Sequence, residues 1–182
     1  MITRRAALVF TVVLLATLAA DQASKVWART LPVSPAGCAQ PAGLLAGRCG
    51  GVPQAVIPGY WDWELAYNPG VAFSTFASLT GHAGMQVILC LVAALALVAI
   101  GMLVRRTEPA ERAKRVAYAL IAGGALGNLL DRLREGAVTD FVRWRIHEHR
   151  WPIFNVADAA LLIGVGVLLI DGLRARRVTH AA

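Results

Sequence analysis

Residues 85–104 read MQVILCLVAALALVAIGMLV, an apolar run in which Gln86 is the one strongly polar residue. A helix needs about 20 mostly apolar residues to cross the hydrocarbon core of a bilayer. The run therefore predicts a transmembrane helix, Met85–Val104. The 182-residue chain as a whole agrees, because 57% of its residues are hydrophobic and only 16% are charged, against about 25% charged in an average soluble domain. We conclude that this is an integral membrane protein rather than a soluble or disordered one.

Three further apolar runs flank this one, at about residues 6–28, 116–130 and 156–173. Together they predict a four-transmembrane-helix bundle, which we treat as a single integral membrane domain over residues 1–182. Four crossings place both termini on the same side of the membrane. The first run could also be a cleavable signal peptide. Cleavage, however, would leave Asp21 and Lys25 at a new N-terminus, where neither charged residue would have a role.

The net charge of +7 and the pI of about 10.2 would also suit a nucleic-acid-binding protein. The cations, however, flank the apolar runs, and ten of the 18 lie in the short segments 4–5, 105–115 and 174–177. This density marks those segments, and both termini, as cytoplasmic. Residues 29–82 and 132–155 are then outside, and we expect no nucleic-acid partner.

The outer segment 29–82 is expected to form a small extracytoplasmic cradle. Within it, Leu31–Pro58 is rich in Gly, Pro and Ala and predicts a loop with little regular structure, whereas residues 60–65 suit a short strand. Cys38 and Cys49 share this loop, where a disulfide could form, and Cys90 is expected to pack within its span. Several aromatic residues are placed as interfacial anchors: Trp27, Tyr60, Trp61, Trp63 and Trp151.

Charged and amide side chains cluster at the ends of the spans, where function is their default explanation. Asp21 and Lys25 are four residues apart and can form an ion pair on one helical face, so we expect them to support a site rather than to react. Asn68, Pro69 and Gly70 form a turn signal. The Asn68 amide could also donate to and accept from a peptide group.

The end of the third span combines small and polar residues. Gly123 and Gly127 form a GxxxG pair, which lets another helix approach closely. Arg132 complements the negative end of the helix dipole. Packing and dipole effects do not explain why Asn128 and Asp131 lie beside Arg132 at the outer end.

The last cluster contains Asp140 and Asp158. Asn155 is a suitable N-cap for the fourth span, and Asp158 falls three residues later, where an acid stabilises a helix N-terminus; capping alone could therefore explain Asp158. Asp140 has no such explanation. Two carboxylates in a partly dry site share one proton, as in aspartic proteolysis. The helix N-terminus favours charge on Asp158, so we expect Asp140 to hold the proton.

Five motifs, taken in order, resemble the lipoprotein signal peptidase (signal peptidase II) family. They are Asp21-Gln22-x-x-Lys25, Asn68-x-Gly70-x-Ala72-Phe73-Ser74, Gly124-Ala-x-Gly127-Asn128-x-x-Asp131-Arg132, Val138-x-Asp140-Phe141 and Phe154-Asn155-x-Ala157-Asp158. The resemblance implies an aspartic endopeptidase of the bacterial inner membrane with its active site at the extracytoplasmic side. It would cut the signal peptide from prolipoproteins before a Cys that carries diacylglycerol. It also implies a β-cradle and an amphipathic helix lying on the membrane.

The resemblance assigns roles by position. Asp140 and Asp158 match the catalytic pair, and Asp21, Lys25 and Asp131 match supporting positions. The residues that match the lining of the substrate site are Asn68, Gly70, Asn128, Arg132 and Asn155. Two departures stand out: the loop Leu31–Pro58 is longer than usual in the family, and Pro69 follows Asn68 where a small residue is common.

Two alternatives remain from the residues alone. A small proton-coupled transporter would place acids near the bilayer midplane, and a non-enzymatic assembly subunit would tolerate Asn at both aspartates. For the protease we expect no metal and no cofactor, contact with membrane lipid, and a monomer, since one chain supplies every site residue.

Overall fold

The computed structural model describes residues 3–34, 50–70, 74–108, 110–146 and 148–180. Four helices make up most of this part: α1 (Arg4–Ala28), α2 (Ser74–Arg106), α3 (Arg112–Glu135) and α4 (Val156–His180). The strands are β1 (Val33–Ser34), β2 (Gly50–Gly51), β3 (Gln54–Ile57), β4 (Trp61–Asn68), β5 (Val138–Ile146) and β6 (His149–Arg150). Cys38 and Cys49 lie outside the described residues, and Cys90 is a free thiol.

Within the described residues, three helices are long and apolar enough to cross a membrane: Arg4–Ala28, Ala83–Arg106 and Val156–Arg174. These confirm the first, second and fourth predicted runs as apolar helices. Their outward faces carry exposed large side chains such as Leu15, Leu95 and Leu162, as a lipid-facing surface requires.

Helix α3 is less apolar than the other three helices. It packs against all three of them, α1, α2 and α4. Its neighbours cover it, so small and polar residues suffice. The buried ones include Ala117, Ala119, Ala122, Gly123, Gly124 and Gly127. A small apolar core of Ile100, Val104 and Ala122 joins α3 to α2. Helix α3 as a fourth span remains a prediction.

The glycines of α3 bring two neighbouring helices into close contact. A Cβ on Gly127 would lie 2.3 Å from Asp21 Oδ2, and Gly123 faces α1 one turn earlier. A Cβ on Gly124 would lie 2.5 Å from the Ala157 carbonyl oxygen of α4. The close approach predicted for Gly123 and Gly127 is therefore present, with α1 as the partner.

The cradle is a four-stranded antiparallel sheet of order β3-β4-β5-β6, beside a small β1-β2 pair. Strand β4 confirms the strand predicted at residues 60–65. Two expectations were wrong. The segment Leu31–Pro58 contains β1, β2 and β3 in its described part, and the cradle is not confined to residues 29–82, because β5 follows α3. Strand β5 begins with four consecutive buried residues, so it lacks the alternation by which a half-buried strand is recognised.

A separate amphipathic helix on the membrane is not found among the described residues of 29–82. Residues 74–82 instead begin α2, which continues without a break for 33 residues. At 1.5 Å per residue such a helix is about 50 Å long, longer than the roughly 30 Å hydrocarbon core. One end of α2 therefore extends beyond the apolar layer.

Candidate active site

Asp140 lies on β5, opposite Ala66 of β4, and is 2% exposed. Each of its carboxylate oxygens accepts a hydrogen bond from an amide side chain. Asn155 Nδ2 donates to Oδ1 across 2.7 Å, and Asn68 Nδ2 donates to Oδ2 across 3.1 Å. The sheet thus buries this carboxylate, and two amides fix its orientation.

A tight turn orients the Asn68 amide. Gly70 N donates to Asn68 Oδ1 across 2.9 Å, and Gly70 adopts a φ of 89°, which glycine tolerates best. Gln86 of α2 donates to the Pro69 carbonyl oxygen across 2.7 Å. Because Asn68 Oδ1 is held by the turn, its Nδ2 is left to donate to Asp140.

Asp158 lies in the first turn of α4, where Asn155 is the residue before the helix. Asp158 N donates to Asn155 Oδ1 across 3.0 Å, and Asn155 N donates to Asp158 Oδ2 across 3.3 Å. This reciprocal pair is a capping box. The other oxygen, Oδ1, accepts from Asn128 Nδ2 across 2.8 Å. Capping therefore accounts for the contact of Oδ2, whereas Oδ1 contacts Asn128 and belongs to the candidate site.

Asn155 links the two carboxylates, since its Nδ2 contacts Asp140 while its backbone N–H and Oδ1 contact Asp158. Burial and the nearby charge of Asp158 together raise the pKa of Asp140 to about 7, against the lowering effect of hydrogen bonds from Asn68 and Asn155 and of the charge of Lys25. The raised pKa favours Asp140 as the carrier of a proton near neutral pH.

A buried charge cluster lies behind the pair. Lys25, which is 0% exposed, has its Nζ 2.9 Å from Asp21 Oδ2 and 3.2 Å from Asp131 Oδ2. The same Nζ donates to Asn128 Oδ1 across 2.9 Å. The three ionised groups thus neutralise one another in part, as buried charges must, and they also hold the amide that contacts Asp158.

Each acid of this cluster also anchors the residue that precedes a candidate carboxylate. Asp21 Oδ1 accepts from Ala157 N across 2.9 Å, and Asp131 Oδ2 accepts from Thr139 N across 2.9 Å. Asp21 thereby positions the start of α4, and Asp131 positions the start of β5. These contacts are the means by which Asp21 and Asp131 could support the site, and that role stays a prediction.

Sequence reasoning missed Arg29 and Thr139, and it quoted Gln22 in a family motif without giving it a role. Arg29 donates to Thr139 Oγ1 across 3.1 Å and lies 3.3 Å from Asp131 Oδ1. Gln22 donates to Asp21 Oδ2 across 3.1 Å. Arg29 is four residues after Lys25, hence on the same helical face, and this spacing could have revealed it.

Four of the five residues predicted to line the substrate site lie around the two carboxylates. The amides of Asn68, Asn128 and Asn155 contact the two carboxylates, and Asn155 is fully buried. Gly70 serves the turn. Three of these residues therefore contact the acids directly and Gly70 acts through the turn, while their contact with substrate stays a prediction.

Arg132 is the exception. It donates to the Asn128 carbonyl oxygen across 3.3 Å, and among the described residues it forms no ion pair with either aspartate. It lines a cavity of about 470 Å³ between α2 and α3 together with Gln86. Arg132 Nε and Gln86 Oε1 are both buried and have no hydrogen-bond partner in the described part of the chain.

A second cavity, of about 350 Å³, opens beside Asp158. Its walls are almost entirely apolar, and it is lined by Trp144, Trp151, Phe154, Ala159, Leu162 and Ile163. Asp158 thus borders a space that suits hydrocarbon. In the part of the chain that the structure describes, no group of three or more His, Cys, Asp or Glu could hold a metal ion.

The fold and these contacts define a helical membrane protein in which one asparagine links two aspartates beside a small antiparallel sheet. The family model described as Signal peptidase (SPase) II matches residues 13–174. The chain belongs to the signal peptidase II family, as the five motifs predicted, and it is a protease. The transporter alternative therefore has no support.

Individual relatives agree. The lipoprotein signal peptidase of Xylella fastidiosa (strain 9a5c) is 39% identical over 169 residues, covering 89% of this chain and 88% of the relative. That of Xanthomonas campestris pv. campestris (strain 8004) is 44% identical over 132 residues, 69% of this chain and 76% of the relative. A solved structure of a bacterial membrane enzyme superposes with a TM-score of 0.72 at 25% identity, covering 91% of this chain and 87% of that one.

Proposed function

We propose that this protease removes the signal peptide from diacylglyceryl-modified prolipoproteins, cutting before the lipidated Cys, with Asp140 and Asp158 as its catalytic pair. The observation that carries the assignment is the position of Asn155, whose side-chain Nδ2 donates to the Asp140 carboxylate and whose backbone N–H donates to the Asp158 carboxylate. The names of the relatives supply the substrate class.

In the proposed reaction, ionised Asp158 accepts a proton from water, and the water oxygen attacks the carbonyl carbon before the Cys. Protonated Asp140 donates to the carbonyl oxygen as the tetrahedral intermediate forms. Collapse of the intermediate breaks the C–N bond, and the proton taken by Asp158 passes to the leaving amine. One hydroxyl of the intermediate returns its proton to Asp140 as the C=O bond re-forms, so both aspartates regain their starting protonation states. The N-terminus of α4 favours negative charge on Asp158, and the raised pKa of Asp140 keeps its proton near neutral pH.

The two cavities suggest how the substrate is held. The apolar walls beside Asp158 suit an acyl chain or an apolar side chain of the signal peptide. The cavity between α2 and α3 offers an unused donor on Arg132 and an unused acceptor on Gln86. Those atoms match the carbonyl and N–H groups of an extended peptide, so we assign peptide binding to Arg132 and Gln86.

We further propose that α3 is a fourth span, that both termini are cytoplasmic and that the site opens at the outer face of the inner membrane. The density of cations supports this orientation, and enclosure of α3 by three apolar helices supports its crossing. A monomer suffices, because one chain supplies both aspartates and every amide that contacts them.

The deciding experiment is cleavage of a diacylated prolipoprotein peptide by the purified protein and by Asp140→Asn and Asp158→Asn variants. General acid–base groups contribute about 10² to 10⁴ in rate, so each variant should lose at least a hundredfold. Asp171→Asn is the matched control, because Asp171 lies on α4 beside Lys114, 3.5 Å away, and should keep full activity. Full activity in either catalytic variant would exclude the mechanism.

A further inference from the structure

A third cavity lies at the opposite end of the helices from the aspartates. It has a volume of about 480 Å³ and is lined by Thr3, Arg5, Ala6, Val9, Arg112 and Arg115. Arg5 precedes Asp21 by 16 residues on the same helix, which corresponds to about 24 Å along its axis. This cavity is therefore separate from the proposed active site.

Its charge is strongly positive. Three of the lining residues are arginines and none is acidic. Arg115 is 2% exposed, and one of its amino groups donates to the Glu108 carbonyl oxygen across 2.8 Å. The nearby acid Glu111 forms an ion pair with Lys114 and also interacts with the charge of Arg115, so this one acid is set against four cations. A buried guanidinium beside two exposed ones creates a site that an anion would stabilise.

Two helices begin at this cavity. Thr3 is the N-cap of α1, and α3 begins at Arg112. Helix N-termini carry partial positive charge, which adds to the field of the arginines. Ala6 and Val9 make the adjoining wall apolar. A ligand that combines a negative charge with hydrocarbon would match both parts of the cavity.

We infer that this cavity binds the phosphate of an anionic phospholipid, such as phosphatidylglycerol, from the leaflet that the cation density marks as cytoplasmic. The arginines contact the phosphate, and an acyl chain lies along α1 beyond Val9. Basic pockets between membrane helices on this side bind lipid headgroups in the same manner. The inference does not depend on the proposed catalytic residues.

The test measures lipid bound to the purified full chain in detergent by native mass spectrometry, titrating phosphatidylglycerol and phosphatidylcholine separately. The wild type should bind phosphatidylglycerol at least tenfold more tightly. A cation near an anionic headgroup raises the affinity about fivefold. The double variant Arg5→Gln/Arg112→Gln should therefore bind phosphatidylglycerol about 25-fold more weakly than the wild type. The control pair Arg105→Gln/Arg106→Gln removes two exposed charges at the end of α2 and should lose less than twofold.

An equal loss in both double variants would show that general surface charge attracts the lipid and would overturn the inference, as would equal binding of the two lipids by the wild type. Displacement of the lipid by millimolar inorganic phosphate would identify a free anion as the ligand instead. Cleavage is not the readout, so these outcomes are independent of the protease assignment.

Discussion

Lys25 Nζ donates a hydrogen bond to Asn128 Oδ1 across 2.9 Å, and this contact, together with one from Asn155 Nδ2 across 3.2 Å, holds the Asn128 amide oxygen. With its oxygen held by Lys25, Asn128 presents Nδ2 to Asp158 Oδ1, 2.8 Å away. A lysine that does not touch the carboxylate thus orients the group that does. The buried charges of α1 and α3 position the proposed catalytic pair as well as stabilising the bundle.

Replacing Lys25 by Met should destabilise the protein strongly. The substitution keeps the length of the side chain but leaves Asp21 and Asp131, which are 0% and 1% exposed, without their shared cation. Breaking a buried ion pair from one side costs about 3 to 5 kcal/mol. For a chain of this length we expect the Tm in detergent to fall by about 10 °C.

Lys114→Met provides the comparison, because Lys114 also bridges two acids, Glu111 and Asp171, but at the partly exposed surface. Surface ion pairs contribute little, so its Tm should change by less than about 2 °C. Similar Tm values for the two variants would contradict the importance of the buried cluster.

Asn68→Ala should move the pH–rate profile of cleavage. The hydrogen bond from Asn68 lowers the pKa of Asp140, so its removal raises that pKa and shifts the alkaline limb of the profile to higher pH. Gln86→Leu should also shift the alkaline limb to higher pH, since Gln86 donates to the Pro69 carbonyl oxygen in the turn that orients Asn68. The profile is measured as kcat/KM between pH 5 and 9.

Gln54→Ala, in the exposed strand β3, should leave the profile unchanged. A purely structural role for Asn68 would lower the rate at every pH without moving the limb, and that result would refute the positioning role.

The stability of the wild type should fall as the pH rises toward neutrality. The pKa of Asp140 is raised from 3.8 to about 7 in the folded protein, so between these values the folded state retains a proton that the unfolded state has released. The stabilisation is complete below about pH 4 and lost as pH rises through 7, by roughly 4 kcal/mol in total. Thermal unfolding in detergent from pH 4 to 8 measures it.

Asp140→Asn removes this titration, because an amide is neutral throughout the range. Its Tm should vary less with pH over the same interval than that of the wild type. Parallel curves for the two proteins would show that Asp140 does not carry the proton.

Gly127→Ala should disrupt the contact between α1 and α3. The added Cβ would lie 2.3 Å from Asp21 Oδ2, so the helices would have to separate or Asp21 would have to leave Lys25. Overpacking typically costs 1 to 3 kcal/mol, and displacing a buried ion pair adds to this. We expect a loss of activity together with a Tm lower by about 10 °C.

Gly166→Ala is the matched substitution, since nothing lies within 4 Å of the Cβ it would add on α4. Alanine has the higher helix propensity, so this variant should be as stable as the wild type or slightly more so. Equal destabilisation of both variants would mean that helix flexibility, not close packing, explains Gly127.

The sequence predicted more of the helices than of the sheet. Long apolar runs are a strong signal because the bilayer fixes their length, and α1, α2 and α4 follow from it. Strand β5 carries Asp140 but is buried on both faces at its start, so no alternating pattern distinguished it. Its pairing with β4 depends on residues about 70 positions apart, such as Asn68 and Val138.

The identities of the polar residues were enough, through their order and spacing, to indicate the family and the candidate pair Asp140 and Asp158. Sequence could not show that Asn155 joins the two carboxylates or that Lys25 orients Asn128, because hydrogen bonds depend on distances between segments far apart in the chain. Nor could it show the arginine-lined cavity between the starts of α1 and α3. Composition and periodicity determined which segments enter the membrane, whereas three-dimensional packing alone decided which polar groups meet, since directional contacts form only after the helices have docked.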